Sequence, residues 1–269
     1  MRLYLAGYES YDSLVPEDCK PEVTNVLISY YQCKDINLFK RLSEEGKYVF
    51  LDSGAFSAFT QNKKIDINRY MDFIKKVEKY IKVSVSLDVI GDGELSLQNY
   101  KIMSENGFNP IPCFHPKEDF KILDYYCEKS DYVGLGGIAR FRSAIKRNWY
   151  NQVFSKYPNH KFHGFAQTTH RILFDYPWYS VDSTSWLQGG KFGRIVLPGA
   201  YMADISNKTF LKNSYVIKAL KKYYKDLDID RIISDYKYRN AINVTTYLKI
   251  EKEINNKKIT FKNTQKTLF

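Results

Sequence analysis

Cysteine is scarce in this chain: Cys19, Cys33, Cys113 and Cys127 are the four among 269 residues, and no two stand at the close spacing of a zinc or redox motif. A disulfide scaffold and a zinc site are therefore not expected, and the thiols read as reduced and mostly buried. Long apolar runs are missing too. No stretch approaches the roughly 20 residues a membrane-crossing helix needs, and Met1-Arg2-Leu3-Tyr4-Leu5-Ala6-Gly7 is too short for the apolar core of a secretion signal. A soluble, cytoplasmic protein without a membrane partner is the expectation. No internal repeat is found.

What the chain does have is apolar content, aromatic rings and positive charge. At 44% hydrophobic residues it can bury one large core. The net charge of +11 is uneven: from Ser206 to the end, 15 Lys or Arg face 6 Asp or Glu, so nearly all the surplus lies in the last quarter. A basic segment on a near-neutral body, with 23 Tyr and 17 Phe as stacking surfaces, favours a nucleic-acid partner over a membrane. A solvated helical face accounts for the same charge.

Apolar runs and helical spacing alternate along the first 205 residues. Strands are predicted at Arg2–Ala6, Asn25–Tyr30, Tyr48–Asp52, Val83–Asp88, Asn109–Phe114, Tyr132–Leu135, Lys161–Ala166 and Tyr179–Asp182. Between them, Ile67, Tyr70, Met71, Ile74, Val77 and Ile81 keep the rhythm of one helical face, as do Phe120, Leu123 and Cys127. Eight such units in about 200 residues predict a (β/α)8 TIM-like barrel over residues 1–205, with an irregular first crossover at 7–24. Residues 206–269 predict a basic helical appendage, packed on the barrel or not. Within it, Val216, Leu220 and Tyr223 share one face and Ile229, Ile232 and Ile233 another. The stretch 255–269 reads as weakly paired or disordered.

Three predicted strands end on an acid: Asp52 in Leu51-Asp52-Ser53-Gly54-Ala55-Phe56-Ser57, Asp88 in Ser84-Val85-Ser86-Leu87-Asp88, and Asp182 in Ser180-Val181-Asp182-Ser183-Thr184. In a barrel the carboxyl ends of the strands form one mouth, so these acids converge there with His115 and Gly136-Gly137. Paired carboxylates are what glycosyl chemistry uses, one at the anomeric carbon and one moving a proton. Asp52 before Ser-Gly reads equally well, taken alone, as a helix cap or turn. His115, before Pro116, reads as a packed or hydrogen-bonded residue. His163 and His170 with Asp182 form a weaker metal reading, because Leu3-Tyr4-Leu5 lacks the paired histidines common on the first strand of metal-binding barrel hydrolases.

In order and spacing, these motifs resemble the tRNA-guanine transglycosylases and, more closely, the DNA-guanine transglycosylases that insert 7-deazaguanines. The resemblance covers about residues 48–186. It implies Asp182 as nucleophile and Asp52 as proton-transferring acid/base. It also implies Phe56 as the ring that stacks on the base, Asp88 as reader of the guanine edge, and the backbone at Gly136, Gly137 and Ile138 as contacts to the heterocycle. Ser53 and His115 join the expected substrate-binding set, His115 near where the family carries a glutamine. Lys191 and Arg194 are expected on phosphates, and no metal or other cofactor is implied. The tRNA enzymes carry a cysteine-rich zinc site after the nucleophile, whereas no cysteine follows Cys127 here. That departure favours DNA over tRNA as the polymer. A homodimer, a tRNA substrate, a base-releasing glycosylase and a non-catalytic nucleic-acid-binding barrel are the alternatives.

Overall fold

A computed structural model describes residues 1–205, 214–224, 227–257 and 259–261. Eight strands run in chain order: β1 (Arg2–Ala6), β2 (Asn25–Ser29), β3 (Tyr48–Asp52), β4 (Val83–Ser84), β5 (Cys113–Phe114), β6 (Tyr132–Leu135), β7 (Lys161–Gly164) and β8 (Ser180–Ser183). They form one sheet in the order β4-β3-β2-β1-β8-β7-β6-β5, every neighbour parallel. A parallel bridge between Val85 and Ile111 joins the two ends, with Ser86 N–H donating to Ile111 C=O at 2.8 Å and Ile111 N–H to Ser84 C=O at 2.8 Å. The fold is therefore a TIM-like (β/α)8 barrel. No helix among the described residues is long and apolar enough to cross a membrane.

Strands β1, β2 and β3 are apolar on both faces, and their alternation feeds two separate cores, whereas β7 and β8 turn polar residues into the ring. Tyr4, Ala6, Leu27, Phe50, Val85, Ile111 and Cys113 pack together inside the ring. Their chain neighbours Leu3, Leu5, Val26, Ile28, Val49, Leu51 and Phe114 face outward onto the helices. Strands two-sidedly buried carry near-continuous apolar runs, which is why their positions are legible from sequence. β4 and β5 are the shortest, and the predicted Val83–Asp88 and Asn109–Phe114 shrink to two residues each plus the bridge.

The surrounding helices are α1 (Tyr11–Leu14), α2 (Ile36–Glu44), α3 (Ala55–Thr60), α4 (Ile67–Val77), α5 (Gly93–Glu105), α6 (Phe120–Lys129), α7 (Ser143–Lys156), α8 (His170–Asp175) and α9 (Ser185–Lys191). Asp35, Asp66, Asp92 and Asp119 each cap a helix by accepting a backbone N–H in its first turn. The first crossover is irregular as expected, built of short 3-10 turns around α1. A hairpin not expected from sequence follows α9, pairing β9 (Arg194–Leu197) with β10 (Tyr201–Asp204) antiparallel.

The described part of the basic segment is helical: α10 (Ser214–Tyr223), α11 (Ile229–Ser234) and α12 (Tyr236–Lys257). Val216, Leu220 and Ile232 are buried, whereas Ile233 is exposed. α12 packs into the barrel wall, since Val244, Tyr247, Ile250 and Ile254 share the core of Leu3 and Leu5. Glu251 of α12 accepts from Leu3 N–H at 2.8 Å and from the Asn25 side chain at 3.1 Å, tying the helix to the amino ends of β1 and β2. Part of the positive charge serves structure. Buried Arg239 donates to the carbonyls of Gly190 and Ile232, and Arg231 pairs with Asp18 and Asp235. Of the stretch 255–269, residues 255–257 finish α12, and 258 and 262–269 lie outside the described residues, as do 206–213.

Candidate active site

The alternation that turns Phe50 into the ring turns Asp52 inward two residues later, at the carboxyl end of β3. Its Oδ2 accepts the Gly54 N–H at 2.9 Å, so the turn reading of Asp52 holds while the carboxylate still faces the mouth. Gly54 has φ +80, and a Cβ there would lie 2.4 Å from both Ser29 Oγ and Tyr31 Cβ. Only glycine fits, and the chain reverses into α3 at that point. Ser53 is fully buried and donates from Oγ to Asp88 Oδ1 at 3.2 Å. Asp52 and Asp88 are thus linked through one residue.

Burial raises the Asp52 carboxyl to about 8, and the nearby negative charges of Asp88 and Asp182 add to it. All three strand-end acids therefore share one electrostatic site. Asp182 differs in its surroundings. Its Oδ1 accepts the Ala166 N–H at 3.1 Å and lies 3.1 Å from His163 Nε2. Ala166 sits at φ 55, a left-handed conformation unusual for alanine, at the turn that aims its N–H at the carboxylate. His163 is fully buried, and burial lowers its basicity despite the neighbouring Asp182. With Asp182 Oδ1 accepting, the ring proton sits on Nε2, and Nδ1 faces the Ser180 hydroxyl at 2.6 Å, which in turn touches Tyr132 OH. Two donors converge on Asp182, while Asp52 holds its proton at neutral pH.

His115, at the mouth end of β5, is surrounded by acids. Its Nε2 lies 3.0 Å from Asp88 Oδ2 and 3.3 Å from Cys113 Sγ, and its Nδ1 lies 2.9 Å from Glu118 Oε1. Burial opposes charge on the ring, yet Cys113, Asp88 and Glu118 together hold it well above its ordinary value. Burial pushes the Cys113 thiol up to about 12. Asp88, Cys113 and His115 present donor atoms all within 4.8 Å of one another. The metal reading of His163, His170 and Asp182 fails, since His170 bonds the Gly199 carbonyl and stacks on Tyr201 at 4.4 Å.

Gly136 and Gly137 lie beside this cluster, where a Cβ would meet Cys113 Sγ at 2.8 Å and His115 Cδ2 at 2.9 Å respectively. The Gly136 N–H is already committed to Phe114 C=O at 3.0 Å, which removes one expected donor to a heterocycle. Ile138 is fully buried and its carbonyl accepts the Phe141 N–H at 3.0 Å, so the expected backbone contact to a heterocycle is not open there. Phe56 is 43% exposed and lies 5.3 Å from the guanidinium of Arg140, a residue of the loop after β6. An exposed ring beside a cation is a ready stacking platform. Lys191 and Arg194 are exposed on the end of α9 and the start of β9. No contact joins them to the three aspartates among the described residues, and Arg194 stands in register with Asp204.

Sequence reasoning grouped His163 with Asp182 only as metal ligands, not as hydrogen-bond partners, and passed over Glu118 as a partner of His115. Strand alternation was the available signal for the first, because position 163 faces the same interior as 165. No family model matches this chain, and no curated protein matches it. Among solved structures it is similar to an orotidine 5'-monophosphate decarboxylase from Metallosphaera sedula, at 12% identity over 82% of this chain and 98% of that one, with a TM-score of 0.40. At that distance the likeness carries nothing about the reaction.

Proposed function

We propose that the protein is a guanine transglycosylase that exchanges guanine in a nucleic acid, with DNA favoured, for a 7-deazaguanine such as 7-cyano-7-deazaguanine. The observation that carries this reading is the pair of unlike carboxylates: Asp52 raised to about 8 and Asp182 held by two donors in the same mouth. A base exchange needs both. Asp182, oriented by its two donors, attacks C1′ as guanine leaves, so that the C1′–N9 bond breaks and a C1′–O bond to Asp182 forms. The departing guanine takes its proton from Asp52. The incoming deazaguanine returns a proton to Asp52 and attacks C1′, freeing Asp182. An acid whose affinity for protons lies near neutrality moves the proton both ways with little penalty.

Base selection falls to the Phe56 face and to the Ser53, Asp88 and Gly137 side of the mouth. A nucleotide must leave its stack to reach a site at the end of a barrel, and an exposed ring offers a replacement stacking partner. Incubating the protein with duplex DNA and with tRNA, each with labelled guanine and candidate deazaguanines, tests the proposal. Incorporation of label that is lost in Asp182→Asn and in Asp52→Asn is expected. Full exchange by both variants refutes the assignment, and release of guanine leaving abasic sites identifies a hydrolytic glycosylase instead.

A further inference from the structure

We infer that Asp88, Cys113 and His115 form a binding site for one thiophilic divalent cation, with zinc the best match, and that Glu118 orients the histidine. The inference does not rest on the transglycosylase reading. It starts from the crowding at a single atom: His115 Nε2 faces Asp88 Oδ2 at 3.0 Å and Cys113 Sγ at 3.3 Å. One ring nitrogen carries at most one hydrogen, which serves one of these partners and leaves the other facing the same side. A cation bonds all three at once. With zinc bonds of about 2.0–2.3 Å, tetrahedral donors stand roughly 3.3–3.7 Å apart; the two separations at His115 Nε2 open by only a few tenths of an ångström to admit the ion, and all three donors lie within 4.8 Å of one another.

The far side of the imidazole has the arrangement a metal-bound histidine uses. Glu118 Oε1 lies 2.9 Å from His115 Nδ1, and its Oε2 accepts the His115 backbone N–H at 2.9 Å, so one carboxylate fixes ring and backbone together. A carboxylate at Nδ1 keeps the proton there and points the Nε2 lone pair at the ion. Space is preserved on the neighbouring strand as well, because Gly136 has no side chain where a Cβ would lie 2.8 Å from Cys113 Sγ and 3.3 Å from His115 Nε2. On binding, bonds form from the ion to sulfur, nitrogen and oxygen. The thiol proton and any proton on Nε2 pass to solvent along with displaced metal-bound water. Three protein donors leave one tetrahedral position for water or a substrate atom.

The test uses the whole protein, stripped of metal with a chelator and reloaded with one equivalent of Zn²⁺ or Co²⁺. We expect one equivalent to survive desalting and the cobalt form to show thiolate-to-cobalt charge-transfer absorption. That band should vanish in Cys113→Ser and persist in Cys127→Ser, and Glu118→Gln should weaken binding about 10- to 100-fold. Failure of the wild-type protein to retain either ion, or a band that survives Cys113→Ser, overturns the inference. Should Cys113→Ser not fold, X-ray absorption on the zinc-loaded wild type decides: one sulfur donor among nitrogen and oxygen supports the site, and no sulfur donor refutes it. None of these readouts involves base exchange, so they stand or fall apart from the proposed activity.

Discussion

Replacing Asp52 by asparagine should stabilise the protein while destroying its proposed chemistry. The carboxyl rises from 3.8 to about 8 because burial and the charges of Asp88 and Asp182 disfavour its ionised form. An acid that binds its proton more tightly when folded contributes most stability at low pH and loses it as pH rises. The loss begins near 3.8, where the unfolded carboxyl ionises, and ends near 8, where the folded one does. The slope between those limits is about 1.4 kcal/mol per pH unit, which accumulates to about 4 kcal/mol at pH 7. Asp52 keeps some contact with solvent at the mouth, so about half of that is the realistic figure. Asparagine is never ionised, and its side-chain oxygen still accepts the Gly54 N–H. Urea unfolding of wild type and Asp52→Asn at pH 4, 5, 6, 7 and 8 reads the effect. We expect near-equal stability at pH 4 and a variant about 2 kcal/mol more stable at pH 7. A difference that does not change with pH, or an asparagine variant that is less stable at pH 7, refutes the electrostatic account of the site.

Gly54→Ala should cost about 2–4 kcal/mol, since it combines a left-handed backbone with a Cβ 2.4 Å from two side-chain atoms; an unchanged urea midpoint would contradict this. Truncating the exposed Phe56 ring to alanine removes the stacking surface, worth about 1–3 kcal/mol per base, so KM for the nucleic acid should rise about 5- to 150-fold. Circular dichroism should meanwhile report an intact fold. His163→Leu takes from the Asp182 carboxyl one of its two hydrogen bonds, worth about 0.5–3 kcal/mol. The expected signature is a fall in kcat with KM nearly unchanged, and equal changes in both would mean that the histidine only supports packing.

Much of the barrel is legible in the sequence because parallel strands buried on both faces leave unbroken apolar runs. Tyr48–Asp52 and Tyr132–Leu135 are read to the residue for that reason. In the β9–β10 hairpin the run Ile195-Val196-Leu197 is buried but its partner β10 leaves no such trace, since Tyr201 and Met202 are exposed. α12 is illegible as a barrel helix for a different reason. Its buried side mixes the apolar Val244, Tyr247, Ile250 and Ile254 with Arg239, Asn240 and Asn243, which satisfy backbone groups of neighbouring elements and interrupt the apolar periodicity. The three strand-end acids are legible by position, but their differences are not. What separates Asp52 from Asp182 is the company of Ala166 and His163, contributed by a strand that carries no acid of its own.

The central claim is that Asp182 becomes covalently bonded to a sugar carbon. Denaturing the protein rapidly during turnover with guanine-containing DNA or tRNA, then locating any adduct by peptide mass spectrometry, measures that bond directly. A nucleic-acid adduct on the peptide that contains Asp182, absent in Asp182→Asn, is the predicted result. Base exchange that proceeds with the adduct on a different residue, or with no adduct at all, would contradict the account.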